Sequence, residues 1–267
     1  MNTTAAVPWT HQSFTPPFTR NGRSALVLPP PWHYAGWLLN VGFEFDAATA
    51  EGLVPPAAGR PVGNGCVHFA DWQACTGDGH ELLDPVLAQY RETIVVLELE
   101  RPDGTHCQFC PAIWVDQDTS LLRGLLQGWP KKMGSIWLTR SLPLDHPAAA
   151  PLRAGSRLGA SLAVKDRRLI EARATLTGAP GEPLGFLALP TLGAVGWPDL
   201  RQPRRLPQPQ LVRPDIRDRV AAGWHEARAE LALLPHPHEE ICGLGNVRAT
   251  IASAGWMGLS VVGAANE

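Results

Sequence analysis

Two adjacent lysines, Lys131 and Lys132, are the residues of this sequence best suited to covalent chemistry. The 267-residue chain has 23 cationic side chains; three are lysine, the third being Lys165, and the remaining 20 are arginine. A lysine amine can lose its proton and attack a carbonyl carbon to form a Schiff base, whereas arginine stays charged and is not nucleophilic. The usual role of a lysine pair is a solvated basic turn. The scarcity of lysine here favours a site that needs an amine.

A lysine that attacks a carbonyl must first be deprotonated, and its reference pKa is about 10.4. Desolvation or a neighbouring cation lowers that pKa by destabilising the ammonium. Adjacent residues point to opposite faces of a strand and diverge by roughly 100° on a helix, so the two lysine nitrogens need not approach each other. We therefore expect desolvation to matter more than the second amine. The bulky apolar residues expected to exclude water are Trp114, Trp129, Met133 and Trp137.

The composition is that of a globular protein, with 45% hydrophobic and 18% charged residues. A net charge of −2 argues against nucleic acid or an anionic membrane as a partner. Residues 1–24 lack a signal-peptide pattern, and no apolar run of about 18 residues occurs. Five irregularly spaced cysteines fit reduced thiols, so we expect a cytoplasmic protein. Ten tryptophans against two tyrosines suggest bulky apolar walls around the core and the pocket.

Three weaker motifs do not indicate a metal or a cofactor. Cys107 and Cys110 form a Cys-x-x-Cys, but positions i and i+3 of a predicted strand face opposite sides, and no second pair exists in the sequence. The segment 236–240 (His-Pro-His-Glu-Glu) is more typical of an exposed loop than of a metal site. Gly243-x-Gly245 lacks the third glycine and the preceding strand of a dinucleotide-binding loop. We expect no metal and no cofactor.

The predicted elements place the lysines where a short helix ends and a strand begins. The β-rich segments 92–101 and 105–115 form a predicted hairpin around a Pro-Asp-Gly turn. Leucines at 121, 122, 125 and 126 repeat at helical spacing, and Gly128 and Pro130 end that helix. The next predicted strand covers 135–140.

The remaining pattern predicts one α+β domain that is mostly antiparallel β. Predicted strands cover 37–45, 66–74, 226–233 and 247–253, a short helix covers 47–53, and a hairpin spans 156–177. The Pro-, Arg- and Gln-rich segment 198–216 is predicted to be a surface excursion. We expect residues 1–24 to form an extended N-terminal arm and residues 25–267 to form a single domain.

The segments around the lysines resemble the acetoacetate decarboxylase superfamily. Gly128-Trp129-Pro130-Lys131-Lys132-Met133-Gly134 is similar to the aromatic-Pro-Lys-Lys-apolar-Gly signature of that family. Further similar segments are Ile113-Trp114-Val115-Asp116, Tyr90-Arg91-Glu92, Val67-His68-Phe69 and Leu53-Val54-Pro55. The resemblance covers roughly residues 30 to 260.

The resemblance implies a cone-like, largely antiparallel fold and a homo-oligomer. It implies that Lys131 forms the Schiff base, that Lys132 tunes Lys131, and that Glu92 is a pocket carboxylate. Trp129, Trp114 and Met133 are the expected substrate-binding residues.

The sequence departs from the family at positions where the family uses charged side chains. The family arginine on the early strand falls near Gly36, and Ala70 stands where a glutamate is expected. Leu125 and Leu126 replace the usual Arg-Glu of the helix. These differences put acetoacetate decarboxylation itself in doubt.

The predicted function is therefore a lyase that forms a Schiff base with a small 2-oxo or 3-oxo acid through Lys131. The resulting enamine leads either to decarboxylation or to aldol condensation and dehydration, as in an aldolase-dehydratase. Glu92 is the candidate proton shuttle. The alternative is a member of the same fold that binds a ligand without turnover and has a regulatory or biosynthetic accessory role.

Overall fold

The computed structural model describes residues 10–267, which contain eleven β-strands and two short α-helices. The strands are β1 Trp32–Glu44, β2 Arg60–Thr76, β3 Gln89–Glu100, β4 His106–Val115, β5 Lys131–Met133, β6 Ser135–Leu138, β7 Arg157–Val164, β8 Arg167–Pro180, β9 Thr191–Val195, β10 Gln210–Leu233 and β11 Arg248–Asn266. The helices are α1 Pro85–Ala88 and α2 Asp118–Leu126. Short 3₁₀ segments occur at Ala47–Leu53, Pro56–Ala58, His80–Leu83, Pro147–Ala149, Gly185–Leu187 and Glu240–Leu244.

The strands form one large sheet, part of which closes on itself. Strand order is β11-β1-β2-β3-β4-β9-β10-β8-β7-β6, and β10 also pairs with β11. That second pairing closes a ring of β11, β1, β2, β3, β4, β9 and β10, from which β8, β7 and β6 extend. The pairs are antiparallel except for β4 with β5 and β4 with β9. The expected mostly antiparallel α+β fold is confirmed.

The β3–β4 hairpin is the most buried pair of strands, and it carries much of the site. Apolar and β-branched residues from Ile94 to Leu97 are almost fully buried, as are Ile113 to Val115. Gly104 has φ +77°, and the Asp103 carboxylate accepts a 2.9 Å hydrogen bond from the Thr105 amide, so the predicted turn forms. Burial of each large aliphatic side chain contributes about 1.5–3 kcal/mol, which makes this hairpin a rigid support.

Helix α2 begins at a polar cap and ends before the lysines. The Gln117 side chain accepts a 2.9 Å hydrogen bond from the Ser120 amide at the start of the helix. Gly128 has φ +85°, a conformation that favours glycine, and its carbonyl accepts from the Ala194 amide at 2.9 Å. Pro130 cannot continue a helix, so the chain leaves as strand β5.

Strands β10 and β11 extend well beyond the predicted segments. Strand β10 begins at Gln210, inside the expected surface excursion, and is interrupted by register shifts between Asp215 and Ile216 and between Arg217 and Val220. Bulges turn side chains out of strict alternation, and most residues from 217 to 223 are exposed, so the segment lacks the apolar pattern of a strand. The predicted helix at 47–53 is a 3₁₀ segment, capped by Asp46.

The expected N-terminal arm is described from residue 10 onward; residues 1–9 lie outside the described part. Residues 10–24 form turns and bends rather than a strand. The buried Thr15 hydroxyl accepts from the Val27 amide at 2.8 Å and donates to its carbonyl at 3.0 Å, which fastens this segment to the domain. The division of the chain at residue 24 stays a prediction.

The closed ring separates two buried clusters. The larger cluster is built from residues such as Trp37, Phe69 and Trp114, and it lies between the ring and the extension β6–β8. The smaller cluster includes Ile94 and Ile113 and lies on the inner face of the ring. Alternation along β3 and β4 sends neighbouring residues to different clusters, and the candidate site is on the inner side.

Candidate active site

A small pocket lies inside the ring of strands, with the Lys131 side chain in its wall. Its volume is about 50 Å³, which is room for roughly four water-sized groups. Most of the wall is aromatic or aliphatic. The lining residues are Tyr34, Trp72, Tyr90, Glu92, Ile94, Ile113, Gln127, Trp129, Lys131, Phe186, Pro214, Ile216, Leu259 and Val261.

The register of the sheet explains why Lys131 enters the pocket. Ile94 on β3 pairs with Ile113 on β4, which pairs in parallel with Lys131 on β5. Residues paired across adjacent strands project to the same face, so all three line the pocket. Glu92 is two residues before Ile94 and shares its face, which brings the carboxylate to the amine.

The Lys131 amine is buried between two oxygen atoms. Its Nζ lies 2.5 Å from Glu92 Oε1 and donates a 3.0 Å hydrogen bond to Ser120 Oγ. The side chains of Lys131 and Glu92 are 7% and 6% exposed. Burial lowers the pKa of Lys131; the Glu92 carboxylate opposes that shift, and the Arg123 guanidinium adds to it. The environment thus makes the amine easier to deprotonate than that of an exposed lysine.

Glu92 is held by a tryptophan on the neighbouring strand. Trp72 Nε1 donates a 3.1 Å hydrogen bond to Glu92 Oε2. The other oxygen, Oε1, forms the ion-pair contact with the Lys131 amine. No residue in 10–267 makes a well-aligned hydrogen bond to this oxygen. One carboxylate oxygen is therefore fixed, and the other is available to exchange a proton at the reacting end of the pocket.

Arg123 is a buried cation close to Lys131 that sequence reasoning did not single out. It is 5% exposed, and its guanidinium carbon lies 5.0 Å from the ring centroid of Tyr34 and 5.7 Å from that of Tyr90. Within residues 10–267, no acceptor takes a hydrogen bond from Nε or Nη2. A buried cation with free donors is costly unless an anion completes it. The signal in the sequence was an arginine among the leucines of the helix preceding the lysines.

Gln127 and the two tyrosines also line the pocket without having been predicted as substrate contacts. Gln127 Nε2 donates to the Tyr34 hydroxyl at 3.3 Å. Gln127 is the residue just before Gly128, so the turn that ends α2 places it beside the pocket. Together with Arg123, these groups give one end of the site a polar character suited to an acid.

Lys132 lies on the other face of β5, away from the Lys131 amine. Its Nζ forms a short ion pair with Glu239 and lies 5.3 Å from the Trp114 ring centroid. Alternation along the strand is the physical reason, since neighbouring residues point to opposite faces. After burial, the Arg123 guanidinium lowers the pKa of Lys131 further, and Lys132 faces away from it. The expected tuning role of Lys132 stays a prediction.

Of the three expected substrate-binding residues, Trp129 lines the pocket and two do not. Trp129 is 8% exposed and packs edge-on against Phe186 at 6.0 Å between ring centroids. Trp114 lies fully buried in the larger core, where its Nε1 donates to Glu239 Oε1 at 3.4 Å. Met133 is 47% exposed at the surface. Trp114 faces away from the pocket because one strand alternation separates it from Ile113. Met133 is two residues beyond Lys131, on the same face of β5, but it lies at the exposed end of that strand and does not line the pocket.

Trp137 was expected to desolvate the lysines, but it is 62% exposed. The Arg91 guanidinium stacks over its ring at 4.1 Å. This contact lies outside the pocket, so the aromatic walls around Lys131 come from Trp72, Trp129 and Phe186 instead.

At Gly36 and Ala70, where the sequence differs from the family, the neighbouring side chains are Trp72 and Glu92. A Cβ on Gly36 would lie 2.5 Å from Trp72 Cε3, so the indole occupies the space above this glycine. Ala70 pairs directly with Glu92 across β2 and β3 and is fully buried. An indole therefore occupies the space near Gly36, where the resemblance places the family arginine, and Ala70 stands opposite Glu92, where it places a family glutamate.

Other classes of site are not supported by the described residues. Within residues 10–267, no cluster of three or more His, Cys, Asp or Glu side chains could hold a metal ion. The same residues contain no helix long and apolar enough to cross a membrane.

Solved structures with the same fold include enzymes that handle keto acids. The enduracididine biosynthesis enzyme MppR, solved in complex with pyruvate, aligns with TM-score 0.88 and 26% identity over 97% of this chain and 98% of that one. MppR complexed with the condensation product of pyruvate and imidazole 4-carboxaldehyde aligns with TM-score 0.89 and 26% identity over 97% of each chain. An acetoacetate decarboxylase-like enzyme from Sphingomonas wittichii RW1 gives TM-score 0.86 and 25% identity over 96% of this chain and 99% of that one.

A more distant structure agrees in fold. Acetoacetate decarboxylase from Legionella pneumophila aligns with TM-score 0.69 and 15% identity over 90% of this chain and 88% of that one. A comparison with curated proteins gives no match.

The sequence profile of the acetoacetate decarboxylase family matches residues 14–265. This match covers almost the whole chain and confirms the resemblance seen at the lysine pair. It supports an enzyme with Schiff-base lyase chemistry in general. The chain belongs to the acetoacetate decarboxylase family.

Proposed function

We propose that this protein is a lyase that forms a Schiff base between Lys131 and a short 2-oxo acid and carries out aldol condensation and dehydration through the enamine. The observation that carries the proposal is the buried Lys131 amine, 2.5 Å from Glu92 Oε1 and near the unpaired guanidinium of Arg123. The small, largely apolar pocket favours a short acid for this first step.

Charge balance supports an acid as the substrate. Once the Schiff base is protonated, the buried site holds an iminium, the Arg123 guanidinium and the Glu92 carboxylate, for a net charge of +1. A substrate carboxylate that accepts from Arg123 Nε and Nη2 neutralises the site and completes its hydrogen bonds. In a 2-oxo acid that carboxylate is next to the imine carbon and is retained throughout.

The first stage uses one proton shared by Lys131 and Glu92. With the proton on Glu92, the amine lone pair forms the C–N bond as the carbonyl π pair moves to oxygen. A proton of the nitrogen moves to that oxygen, Glu92 protonates the resulting hydroxyl, and water leaves as the C=N bond forms. The site then contains the iminium and the Glu92 carboxylate.

The second stage makes the carbon–carbon bond. Glu92 removes a proton from the carbon next to the iminium, and the electron pair forms the enamine. The enamine carbon attacks an aldehyde, whose oxygen takes the proton back from Glu92. Loss of a further proton and of the new hydroxyl as water gives an unsaturated product, and hydrolysis of the iminium releases it. Each transfer uses the Glu92 oxygen that faces Lys131.

Decarboxylation of a 3-oxo acid is the competing reaction within the same family. A carboxylate paired with a buried guanidinium is stabilised in the ground state, which opposes its loss as CO₂. Arg123 therefore supports chemistry that keeps the carboxylate. Ligand binding without turnover is the other alternative, but a desolvated amine beside a carboxylate is arranged for proton transfer rather than for binding alone.

The test is a product assay with matched lysine variants. The protein is incubated with pyruvate and an aromatic aldehyde, and in parallel with acetoacetate. We expect a conjugated, dehydrated condensation product from pyruvate, loss of that product in Lys131→Arg, and its retention in Lys165→Arg. Release of CO₂ from acetoacetate without any condensation would establish a decarboxylase. A covalent pyruvate adduct without product would establish a binder.

A further inference from the structure

Ser120 is a buried hydroxyl in contact with the reacting amine, and the steps described above do not use it. Its side chain is 0% exposed, and its Oγ accepts the 3.0 Å hydrogen bond from Lys131 Nζ. The residue lies in the first turn of α2, where its amide donates to the Gln117 side chain. Helix and cap thus fix the serine backbone, and Lys131 approaches from strand β5.

Tyr90 lies on another side of the same amine. Its ring centroid is 5.4 Å from Lys131 Nζ and 5.7 Å from the Arg123 guanidinium carbon. Burial and the Glu92 charge raise the pKa of Tyr90 well above its ordinary value, so the phenol keeps its proton. Lys131 Nζ therefore has an aromatic ring, a carboxylate oxygen and the Ser120 hydroxyl around it, and Ser120 is the neutral group that accepts a hydrogen bond from it.

The Ser120 contact matters because an amine rotates freely about its Cε–Nζ bond unless its N–H groups are held. Neutral nitrogen presents two N–H bonds and one lone pair at three staggered positions. Ser120 takes one N–H, and the two remaining positions face Glu92 and the pocket. Without Ser120, the lone pair can also turn to a third position, where no carbonyl can reach it.

We propose that Ser120 is a positioning residue for Schiff-base formation: its buried hydroxyl, placed by the first turn of α2, holds one N–H of Lys131 so that the lone pair is directed to Glu92 and the substrate. The inference rests on the proposed role of Lys131 as the nucleophile. It adds a requirement that is independent of the basicity of the amine.

The experiment measures the rate at which pyruvate and sodium cyanoborohydride label Lys131 as a function of pH. Removing the acceptor in Ser120→Ala destabilises the ammonium, so the pH of half-maximal labelling falls. The plateau rate at high pH, where the amine is neutral, falls about 10-fold because a hydrogen bond of about 1–1.5 kcal/mol no longer orients the nitrogen. A slower reaction of a more deprotonated amine is the signature of lost positioning.

A matched variant separates this role from a general effect on the fold. Ser253→Ala removes another buried serine hydroxyl, which donates to the Glu182 carbonyl at 2.8 Å. It should leave both the pH of half-maximal labelling and the plateau rate unchanged.

The outcomes are distinguishable. If the wild-type protein is not labelled on Lys131, the proposed function fails, and with it the basis of this inference. If the wild type is labelled and Ser120→Ala keeps the wild-type plateau rate, the inference about Ser120 is overturned. A slower plateau with an unchanged or raised pH midpoint also overturns it, because that pattern indicates displaced packing.

Discussion

At the scale of single residues, the site depends on one amine that burial makes nucleophilic. Lys131 is desolvated by apolar walls, paired with Glu92 and placed near Arg123. A guanidinium cannot lose its proton under these conditions, which explains why a chain rich in arginine has a lysine here. The second lysine of the pair serves a different part of the molecule.

Arg123 should control both the basicity of Lys131 and the affinity for the acid. In Arg123→Met the pKa of Lys131 should rise, because the cation that opposes the ammonium is gone. The KM for pyruvate should rise at least about 10-fold from the loss of a charged hydrogen-bonding partner. Both values come from labelling rates measured against pH and pyruvate concentration.

The control is Arg60→Met, since Arg60 pairs with Glu100 at the surface. That variant should have the wild-type pKa of Lys131 and the wild-type KM for pyruvate. An unchanged KM in Arg123→Met would show that the substrate carboxylate binds elsewhere.

At the scale of elements, helix α2 and strand β5 together aim the lysine. The Lys131 stem lies against the backbone of α2 at Gly124, where a Cβ would be 2.2 Å from Lys131 Cδ and 2.3 Å from Cε. Any side chain at this position would occupy the groove that the lysine needs. The glycine is therefore required for space, although it lies inside a helix.

Replacing Gly124 by alanine should damage the site more than the fold. Alanine stabilises a helix by about 1 kcal/mol relative to glycine, and this gain offsets part of the overpacking cost of about 1–3 kcal/mol. We expect the melting temperature to change little and Lys131 labelling to slow more than 10-fold, since displacing a reacting group by about 1 Å costs two orders of magnitude.

Gly52→Ala is the matched control, because no described residue lies within 4 Å of the added Cβ. In this variant the melting temperature measured by calorimetry and the rate of Lys131 labelling should both equal those of the wild type. Normal labelling of Gly124→Ala would mean that the lysine stem can take another path into the pocket.

Lys132 should act on stability and not on the reaction. Its partner Glu239 is buried and also accepts from the Trp114 indole, so Lys132 fastens β5 to the segment before Glu240–Leu244. Lys132→Met should lower the free energy of unfolding by about 1 kcal/mol, a small value because the lysine is half exposed. The pH midpoint of Lys131 labelling should remain that of the wild type. A shifted midpoint would restore the tuning role expected from the family.

The sequence allowed the elements that carry the signature to be predicted, and the structure shows why others escaped. The 92–115 hairpin and the helix before Gly128 have strong periodicity and clear turn residues. Strand β10 lacks both, because its bulges and exposed polar residues obscure the alternation. For the site, Lys131, Glu92 and Trp129 lie at the pocket. Trp114 lies on the other face of β4, because spacing alone does not say which face of a strand is buried on which side, and Met133 lies at the exposed end of β5. Arg123 comes close to Lys131 through the packing of α2, and its position among leucines is only a weak local signal of that.

At the scale of the whole molecule, the closed ring encloses polar groups that must stay neutral. His68 is fully buried, its Nδ1 lies 2.8 Å from Asn40 Oδ1, and no described residue is hydrogen-bonded to its Nε2. Burial lowers the pKa of His68 to about 3. Its ring packs edge-on against Phe186, 4.7 Å away, so the histidine also supports a wall of the pocket. The expected homo-oligomer and cytoplasmic location stay predictions.

His68 should make the fold sensitive to acid. The unfolded state binds a proton below about pH 6.5, but the folded state does so only near pH 3, so stability is complete above pH 6.5 and is lost as the pH falls. Between pH 6.5 and pH 4 the free energy of unfolding should fall by about 3 kcal/mol, because each pH unit below the unfolded pKa costs about 1.4 kcal/mol. Urea unfolding at pH 7 and at pH 4 measures this difference.

His68→Gln keeps a polar partner for Asn40 but cannot titrate. This variant should be less stable than the wild type at pH 7, and the difference should shrink or reverse at pH 4. An equal loss of stability in both proteins between pH 7 and pH 4 would assign the acid sensitivity to other groups.

The central claim is that Lys131 is the nucleophile that forms the Schiff base, and reductive trapping tests it most directly. The protein is treated with pyruvate and borohydride, and the intact mass and the modified peptide are determined for the wild type, Lys131→Arg, Lys132→Arg and Lys165→Arg. We predict one reduced pyruvate on Lys131 in the wild type and in the two control variants, and none in Lys131→Arg. The absence of an adduct in the wild type, or an adduct that survives Lys131→Arg, would contradict the account.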